Sequence, residues 1–254
     1  MTATLASYDP SRASRAFFFG NIGVPRSCGR PAPAAVPAPE PHAIVHIVHF
    51  DAEVAARLAQ LCASAGIGAS IHASILAFAD ASLPDAPACL LVHARYPGIV
   101  ELEALASRMR PEAMLPMIVT AERADVRTAV LAMKAGAVEF FDALPRDQDL
   151  LDVIATAVGI DRARRRLAVD CAALKACFAR LTERERQVMA LVTRGLLNKQ
   201  VAGDLGISEI TVKAHRGSVM RKMQARTIAD LVRMADALDY LAEDAGEGGF
   251  RSSR

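Results

Sequence analysis

The chain has no tryptophan, few aromatic residues and no long apolar run. Aromatic residues make up 5% of its 254 residues. No stretch reaches the roughly eighteen apolar residues that a membrane-spanning helix needs. The first residues include Asp9, Arg12 and Arg15 and lack a sustained apolar core, which argues against a secretory signal peptide. These absences exclude a membrane partner and favour a protein that stays inside the cell.

Cysteine is scarce, and its spacing argues against a disulfide framework or a structural zinc site. The five cysteines are odd in number and include no CxxC pair, so we expect a reducing, cytoplasmic compartment. The net charge is only +2, so any affinity for nucleic acid must come from a local basic patch. No nucleophile–base pair, phosphate-binding loop or metal-ligand cluster stands out. We therefore expect neither an enzyme nor a bound cofactor.

Composition divides the chain into five segments. Residues 1–41 predict a disordered tail, because the stretch over 25–41 alternates proline with alanine. Residues 42–158 predict an α/β domain, residues 159–180 a helical linker, residues 181–243 an all-α domain, and residues 244–254 a second disordered tail.

The α/β segment alternates short apolar runs with amphipathic helical stretches, which predicts a five-stranded parallel sheet with helices on both faces. The predicted strands cover 43–48, 69–73, 88–92, 115–119 and 138–141, and the predicted helices cover 52–65, 74–81, 99–109, 126–135 and 149–158. In such sheets the functional crevice lies beyond the carboxyl ends of the strands. His49, Phe50 and His93 follow the first and third strands, so they mark the candidate site.

The last of these helices is expected to continue into the linker with a heptad pattern. Five apolar residues recur at seven-residue intervals: Val153, Ile160, Leu167, Leu174 and Leu181. The pattern fits a two-stranded coiled coil between protomers, and equally one helix that packs on its own domain. Cys171 falls on the same seam, so a redox-linked dimer is a further hypothesis.

The C-terminal segment has the pattern of two helices joined by a tight turn. Thr182 and Glu185 form a capping-box pair before a helical run. Asn198 and Ser208 are predicted to cap the second and third helices, and Gly206 suits the turn between them. A fourth helix is predicted from about Thr227 to Leu241.

The third helix of this segment carries the residue types that reading DNA requires. Its apolar positions are Ile210, Val212, Val219 and Met223. A reading helix enters the major groove with polar or basic side chains near its N-terminal end. That zone holds Lys213, His215, Arg216 and Gly217. The candidates for phosphate contacts are Lys199, Thr211, Arg221 and Lys222, and the cap residue Ser208 completes the candidate DNA-binding set.

The segments LTERERQVMALV, GLLNKQVAGDLGISEITVKAHRGSVMRKM and ADLVRMA resemble the LuxR-type helix-turn-helix of the FixJ/NarL family of response regulators. The resemblance implies a four-helix DNA-binding domain in which Lys213, Ala214 and Gly217 occupy positions that face base edges. It also implies that the fourth helix pairs two copies into a homodimer, which binds an imperfect inverted repeat in double-stranded DNA. RNA polymerase or another regulator is a further expected partner.

The segments PACLLVHARYPG, MKAGAVEFF and DQDLLDVI resemble the receiver domain of the same family. A working receiver needs acidic residues for Mg²⁺, an aspartate nucleophile, a hydroxyl and a lysine. In this chain the two acidic positions hold His49 and Phe50, and the nucleophile position holds His93. The hydroxyl position holds Ala121, and the lysine position holds Ala143. Asp51 survives beside the acidic positions. Thr120 precedes the hydroxyl position and is expected to point to the opposite face of its strand.

These replacements predict a degenerate receiver that does not accept phosphate by the aspartyl route. The residues at the acidic and nucleophile positions either fill a collapsed apolar pocket that locks one conformation, hold a metal or ligand, or respond to pH. His42, His46 and His72 are interpreted as too scattered to strengthen a metal site, and His46 is expected to point away from His49.

The leading interpretation is a sequence-specific transcription regulator that acts independently of aspartyl phosphorylation. Two alternatives stay open at this point. One is an antagonist that heterodimerises with an active regulator of the same family. The other is a sensor of a ligand, a metal or a redox state through the altered receiver pocket.

Overall fold

The computed structural model describes residues 42–94, 115–122 and 125–244. These residues form two compact units, with the boundary between Arg165 and Arg166. Three predicted segments lie outside the described residues. They are the N-terminal tail over 1–41, the helix over 99–109 and the C-terminal tail beyond residue 244. Within the described part of the chain, no helix combines the length and apolarity that crossing a bilayer requires.

The first unit is a five-stranded parallel sheet, as the alternating pattern predicts. Its strands are β1 (Ile44–Val48), β2 (Gly68–His72), β3 (Ala88–Ala94), β4 (Met117–Ala121) and β5 (Ala137–Phe141), in the spatial order β2-β1-β3-β4-β5. Its described helices are α1 (Ala52–Ser64), α2 (Ile75–Ala79), α3 (Val126–Lys134) and the first part of α4 (Asp147–Ala179). β4 begins later than predicted because Pro116 has no amide hydrogen for the ladder, although its carbonyl accepts the N–H of Leu90.

Apolar side chains cover both faces of the sheet. On one face, Phe78 of α2 and Ala132 of α3 belong to the same core cluster as Leu90. On the other face, Leu58 of α1 and Ile154 of α4 belong to the same core cluster as strand residues Ile47, Leu91 and Ile118. Successive strand side chains point to opposite faces. The two clusters therefore fix the face on which each residue at a strand end lies.

Helix α4 is fastened to the sheet by a fully buried carboxylate. Asp161 Oδ2 accepts the backbone N–H of Ala88 at 2.9 Å and Nε of Arg165 at 2.7 Å. Its Oδ1 accepts from Arg164 at 2.6 Å. A buried carboxylate is tolerated only when it is paired and hydrogen-bonded. The start of β3 therefore positions α4 at the point where the helix leaves the first unit.

Three of the five heptad positions are explained by packing within the chain. Val153 packs against the sheet core of the first unit. Leu174 and Leu181 are 1% and 3% exposed and belong to the core of the second unit. Side chains that are already buried cannot form a seam with another protomer, so at these positions the coiled-coil alternative is wrong. Ile160 remains 46% exposed.

The second unit contains the four predicted helices. After the end of α4, they are α5 (Glu183–Thr193), α6 (Asn198–Leu205), α7 (Glu209–Met223) and α8 (Ile228–Asp244). The predicted capping box of Thr182 and Glu185 is present. Gly206 ends α6 with a φ of 64°, in the left-handed region that glycine adopts at low cost. Ser208 caps α7, as predicted, by accepting the N–H of Thr211.

One sequence-based expectation for this unit is wrong. Leu197, and not Asn198, occupies the N-cap position of α6, because the side chain of Gln200 accepts the N–H of Leu197 at 2.8 Å. Asn198 instead accepts a hydrogen bond from Arg216 at 3.1 Å. Ile210 is 82% exposed and does not share the buried face of α7.

Glu185 joins α5 to α7 through a nearly buried carboxylate. It accepts the Ser218 hydroxyl and the Lys222 ammonium, each at 2.6 Å, and the Thr182 N–H at 2.8 Å. Burial acts to raise the pKa of Glu185, but the bonds from Lys222, Ser218 and Thr182 outweigh it and lower the pKa to about 2. The carboxylate is therefore ionised and fully paired at neutral pH.

We expect Glu185→Gln to lower the free energy of unfolding by about 2 kcal/mol at pH 7, because hydrogen bonds to a buried charged group are lost. The folded-state pKa is depressed, so this stabilisation is complete above the usual carboxyl pKa and disappears as pH falls toward the folded value. Urea unfolding of the full chain, followed by circular dichroism at several pH values, measures both effects.

Glu183→Gln is the matched control, because Glu183 is an exposed residue in the same first turn of α5. It removes the same formal charge without touching the ion pair. Equal destabilisation by the two variants at pH 7 would show that Glu185 acts only through the dipole of the helix.

Candidate functional site

One face of α7 is exposed along its length. The buried face contains Val212, Val219 and Met223, none of which is more than 1% exposed. The exposed residues recur at helical spacing on the opposite side: Ile210, Lys213, Ala214, Gly217 and Arg221. We call these five residues the α7 stripe. The stripe starts in the first turn of the helix, which is the end that reaches base edges when a helix enters the major groove.

Some of the candidate basic residues are exposed, and others are half-buried. Lys199, Lys213 and Arg221 are exposed. Arg216 is half-buried and donates to Asn198 at the start of α6. His215 is half-buried on the same helix. Only the exposed group reaches outward without breaking a contact within the unit.

Lys222 does not fit the predicted role of a phosphate contact. Its Nζ lies 2.6 Å from Oε2 of Glu185, and its side chain is only 27% exposed. Moving it to a phosphate would leave a nearly buried carboxylate without its ion pair, which is costly. The structure therefore places Lys222 in the framework that holds α7 against α5.

The hydroxyl residues at the start of α7 are exposed but bonded to each other. The hydroxyl oxygens of Ser208 and Thr211 lie 2.8 Å apart, and Ser208 Oγ accepts the N–H of Thr211. This contact closes the first turn of the helix. Both residues remain at the helix N-terminus, where amide groups and the helix dipole favour a phosphate.

Sequence reasoning missed Ile210 as a surface residue. It precedes Lys213 by three residues and Ala214 by four, and that spacing was the available signal that it lies on their side of the helix. A Cβ atom at Gly217 would lie in open space, with no atom within 4 Å beyond its own stretch of helix. The unbound fold therefore does not itself require glycine there.

Three aromatic rings meet at the carboxyl edge of the sheet. The ring centroids of His49 and His93 are 4.5 Å apart, and those of His49 and Phe50 are 5.0 Å apart in a stacked arrangement. Phe50 lies 5.4 Å from His93. His49 is 8% exposed, whereas Phe50 is 50% exposed. We call these three residues the ring cluster.

Thr120 lies on the same face as His93, so the expectation that it points away is wrong. The two residues are register partners on β4 and β3, and Thr120 Oγ1 lies 3.1 Å from His93 Nδ1. Ala121 belongs to the core cluster on the other face of the sheet. The residue that contacts the nucleophile position is therefore one earlier than the ungapped alignment with a receiver implies.

The remaining positions of the receiver site are accounted for separately. Asp51 caps α1, with Oδ1 accepting the N–H groups of Glu53 and Val54 at 2.9 and 3.2 Å. Its carboxylate is thus already used by the helix. Ala143 is exposed after β5 and offers no ammonium group.

His49 is neutral at neutral pH. Burial lowers its pKa below the usual value, and this outweighs the opposing effects of Asp51 and Glu122. The backbone N–H of Asp51 donates to Nδ1 of His49 at 3.0 Å, which uses that nitrogen as an acceptor. His49 therefore adds no positive charge at the edge of the sheet.

The other histidines are not all scattered. His46 points away from His49, as expected, and packs against Phe78 on the opposite face. However, its Nδ1 lies 3.1 Å from Nε2 of His72, so these two histidines are neighbours although they are distant in the sequence. Parallel pairing of β1 with β2 brings them together. Among the described residues, no group of three or more His, Cys, Asp or Glu side chains is arranged to hold a metal.

Comparison with known proteins places this geometry in a family. Residues 179–235 match the bacterial regulatory proteins of the luxR family. Nodulation protein W of Bradyrhizobium diazoefficiens is 41% identical over 79% of this chain and 88% of its own length. The transcriptional regulatory protein FixJ of Azorhizobium caulinodans is 37% identical over 75% of this chain and 90% of its own length.

A solved structure supports the same relationship. The structure of the response regulator StyR matches with a TM-score of 0.65 at 35% identity, and the match covers 77% of this chain and 98% of that chain. The two described units thus correspond to a receiver domain followed by a LuxR-type domain. The chain belongs to the FixJ-like response regulators, which are DNA-binding transcription factors.

Proposed function

We propose that this protein is a sequence-specific transcription regulator that acts without aspartyl phosphorylation of its receiver domain. The observation that carries the DNA-binding half is the α7 stripe, which presents Lys213 and Arg221 outward from a helix that Glu185 holds in place. The observation that carries the second half is the ring cluster, which occupies the edge where a receiver binds phosphate and Mg²⁺.

The α7 stripe contains groups for both kinds of DNA contact. Lys213 and Ala214 suit base edges, since an ammonium donates to guanine acceptors and a methyl group packs on the thymine methyl. Ile210 adds a second apolar group beside them. Arg221 and Lys199, with the α7 N-terminus at Ser208, suit phosphates, which position the helix without reading sequence. Arg216 supports the stripe through Asn198.

We expect Lys213→Ala to weaken binding to the preferred duplex about tenfold or more, because a base contact is worth roughly 1–3 kcal/mol. Arg221→Ala is expected to weaken all duplexes to a similar extent and to reduce the salt dependence of binding. The preferred duplex is first obtained by selection from random sequences, and affinities are then measured by fluorescence anisotropy at two salt concentrations.

Lys175→Ala is the matched control, because Lys175 is an exposed lysine on α4 outside the α7 stripe. Its affinity should equal that of the unaltered chain. Selection that yields no motif, with binding that is only salt-sensitive, would instead favour the heterodimerising antagonist. The exposed Lys213 and Arg221 argue for the regulator.

Independence from phosphorylation is supported by what the receiver site lacks. The acidic and nucleophile positions are filled by the ring cluster, and the remaining carboxylate of Asp51 caps α1. A divalent cation at such a site needs several oxygen ligands. The neutral His49 and the half-exposed Phe50 supply none. The ring cluster therefore supports a filled pocket that holds one conformation more strongly than it supports a ligand sensor.

We expect no acyl-phosphate adduct after incubation with acetyl phosphate and Mg²⁺, since no carboxylate occupies the nucleophile position. Mass spectrometry of the intact chain, with and without hydroxylamine, detects such an adduct. DNA affinity is expected to be unchanged by the treatment.

A variant with refilled positions is the positive control for this chemistry. It combines His49→Asp, Phe50→Asp, His93→Asp and Ala143→Lys, and keeps Thr120 as the hydroxyl beside the nucleophile. A hydroxylamine-sensitive adduct on the unaltered chain would contradict phosphorylation independence.

We also propose that the protein binds an inverted repeat as a homodimer. Helix α3 supports this proposal because Val126, Val130 and Met133 form an exposed apolar stripe, at 81%, 46% and 45% exposure. Exposed apolar groups that lie together on one helix mark an interaction surface. A dimer with two-fold symmetry presents two copies of α7 to two half-sites of opposite orientation.

We expect Val130→Glu to weaken the dimer about tenfold or more, because a charge would be buried in the apolar contact. Sedimentation velocity over a range of concentrations measures the equilibrium. Ile160→Glu is the control, since Ile160 is equally exposed but lies on α4. Dissociation by Ile160→Glu alone would move the interface to α4 and refute the role of α3.

A further inference from the structure

A second histidine pair lies at the edge of the sheet, on the face opposite the ring cluster. His46 of β1 directs Nδ1 at Nε2 of His72 in β2, at 3.1 Å. The hydroxyl of Ser70 lies 3.3 Å from the same nitrogen of His72. His46 is 2% exposed, and His72 is half-buried. His72 Nε2 therefore lies within hydrogen-bonding distance of both an imidazole nitrogen and a hydroxyl oxygen.

The surroundings hold these two rings while leaving one side open. Phe78 packs against both, with centroid distances of 5.4 Å to His46 and 5.3 Å to His72. A cleft of about 210 Å³ borders the pair and is also lined by residues of the segment that follows α2, Leu83 and Pro84 among them. The pair therefore borders a space large enough to hold water.

We propose that His46 and His72 form a two-imidazole site for Zn²⁺ or a similar late first-row divalent cation, with water from the cleft as the remaining ligands. Two nitrogen ligands of a tetrahedral zinc ion, each about 2.0–2.1 Å from the metal, lie about 3.3 Å apart. The observed separation is 3.1 Å. A small rotation of the half-buried His72 ring therefore opens the pair to the distance that the metal requires.

The protonation states of His46 and His72 allow a cation to replace the hydrogen bond between them. In the metal-free pair, one of the facing nitrogens carries the hydrogen that bonds the other. The metal needs both facing nitrogens unprotonated, so that hydrogen moves to the far nitrogen of its own ring and no net proton is released. Burial, with repulsion from His72, lowers the pKa of His46 to about 4, and burial lowers the pKa of His72. Both rings are therefore neutral at neutral pH.

The ligand set selects the class of cation. Imidazole nitrogen suits zinc, copper and nickel, whereas Mg²⁺ and Ca²⁺ need several oxygen ligands. Only two side-chain nitrogens are supplied, because no larger group of His, Cys, Asp and Glu is assembled in the described residues. The site is therefore expected to exchange its cation readily and not to hold a structural ion.

Calorimetric titration of the full chain with Zn²⁺ tests the proposal. We expect His72→Asn to bind one equivalent fewer than the unaltered chain, whatever the number of other sites. His72 lies half-exposed on the edge strand, so the fold should persist, and circular dichroism verifies this. The matched control is the double variant His49→Asn/His93→Asn on the other face, which should keep the equivalent.

A second measurement uses the chain without substitution. Imidazole nitrogen NMR spectra should show Zn²⁺ shifting the ring nitrogens of His46 and His72 and leaving those of His215 in place. Equal stoichiometry for the unaltered chain and His72→Asn would overturn the proposal. Loss of the equivalent in the His49/His93 variant alone would also overturn it and would assign the cation to the ring cluster. Neither result depends on DNA binding.

Discussion

The orientation of α7, the helix that we propose reads DNA, depends on one buried carboxylate. The Glu185 carboxylate accepts hydrogen bonds from Ser218 and Lys222 of α7. It also accepts the N–H of Thr182, where α5 begins. A single side chain thus fixes the start of one helix and its packing on the next. A helix reads base edges only if its outward side chains are held at a defined angle to the groove. Lys222 therefore belongs to the framework that holds α7 against α5.

Much of the fold could be predicted from the sequence because its signals are local. Strand and helix periods, the capping box at Thr182 and the turn at Gly206 each depend on a few neighbouring residues. The errors arose where two adjacent residues compete. Leu197 takes the cap position from Asn198 because Gln200 satisfies its amide. Ile210 was predicted only as an apolar position of α7, although its spacing from Lys213 and Ala214 already put it on their side of the helix.

The receiver site shows the same limit at the level of strand register. Comparison with a receiver puts Ala121 at the hydroxyl position, whereas the structure puts Thr120 against His93. A shift of one residue exchanges the two faces of a strand, and pattern alone does not determine it. Both core clusters of the sheet are nevertheless complete at β4, with Ala121 on one face and Ile118 on the other. The fold of the domain is therefore present although the acidic and nucleophile positions hold His49, Phe50 and His93.

His46 and His72 were not predicted as a pair because parallel strands join residues that are distant in sequence. Once β2 lies beside β1, alternation places His46 on the face opposite His49, so the sheet carries two independent histidine pairs. A ligand shifts a conformational equilibrium only if it binds one state better than another. The ring cluster packs its own site with side chains of the protein. An input to this domain would then act through a surface that remains open, such as the cleft beside His72 or the apolar stripe of α3.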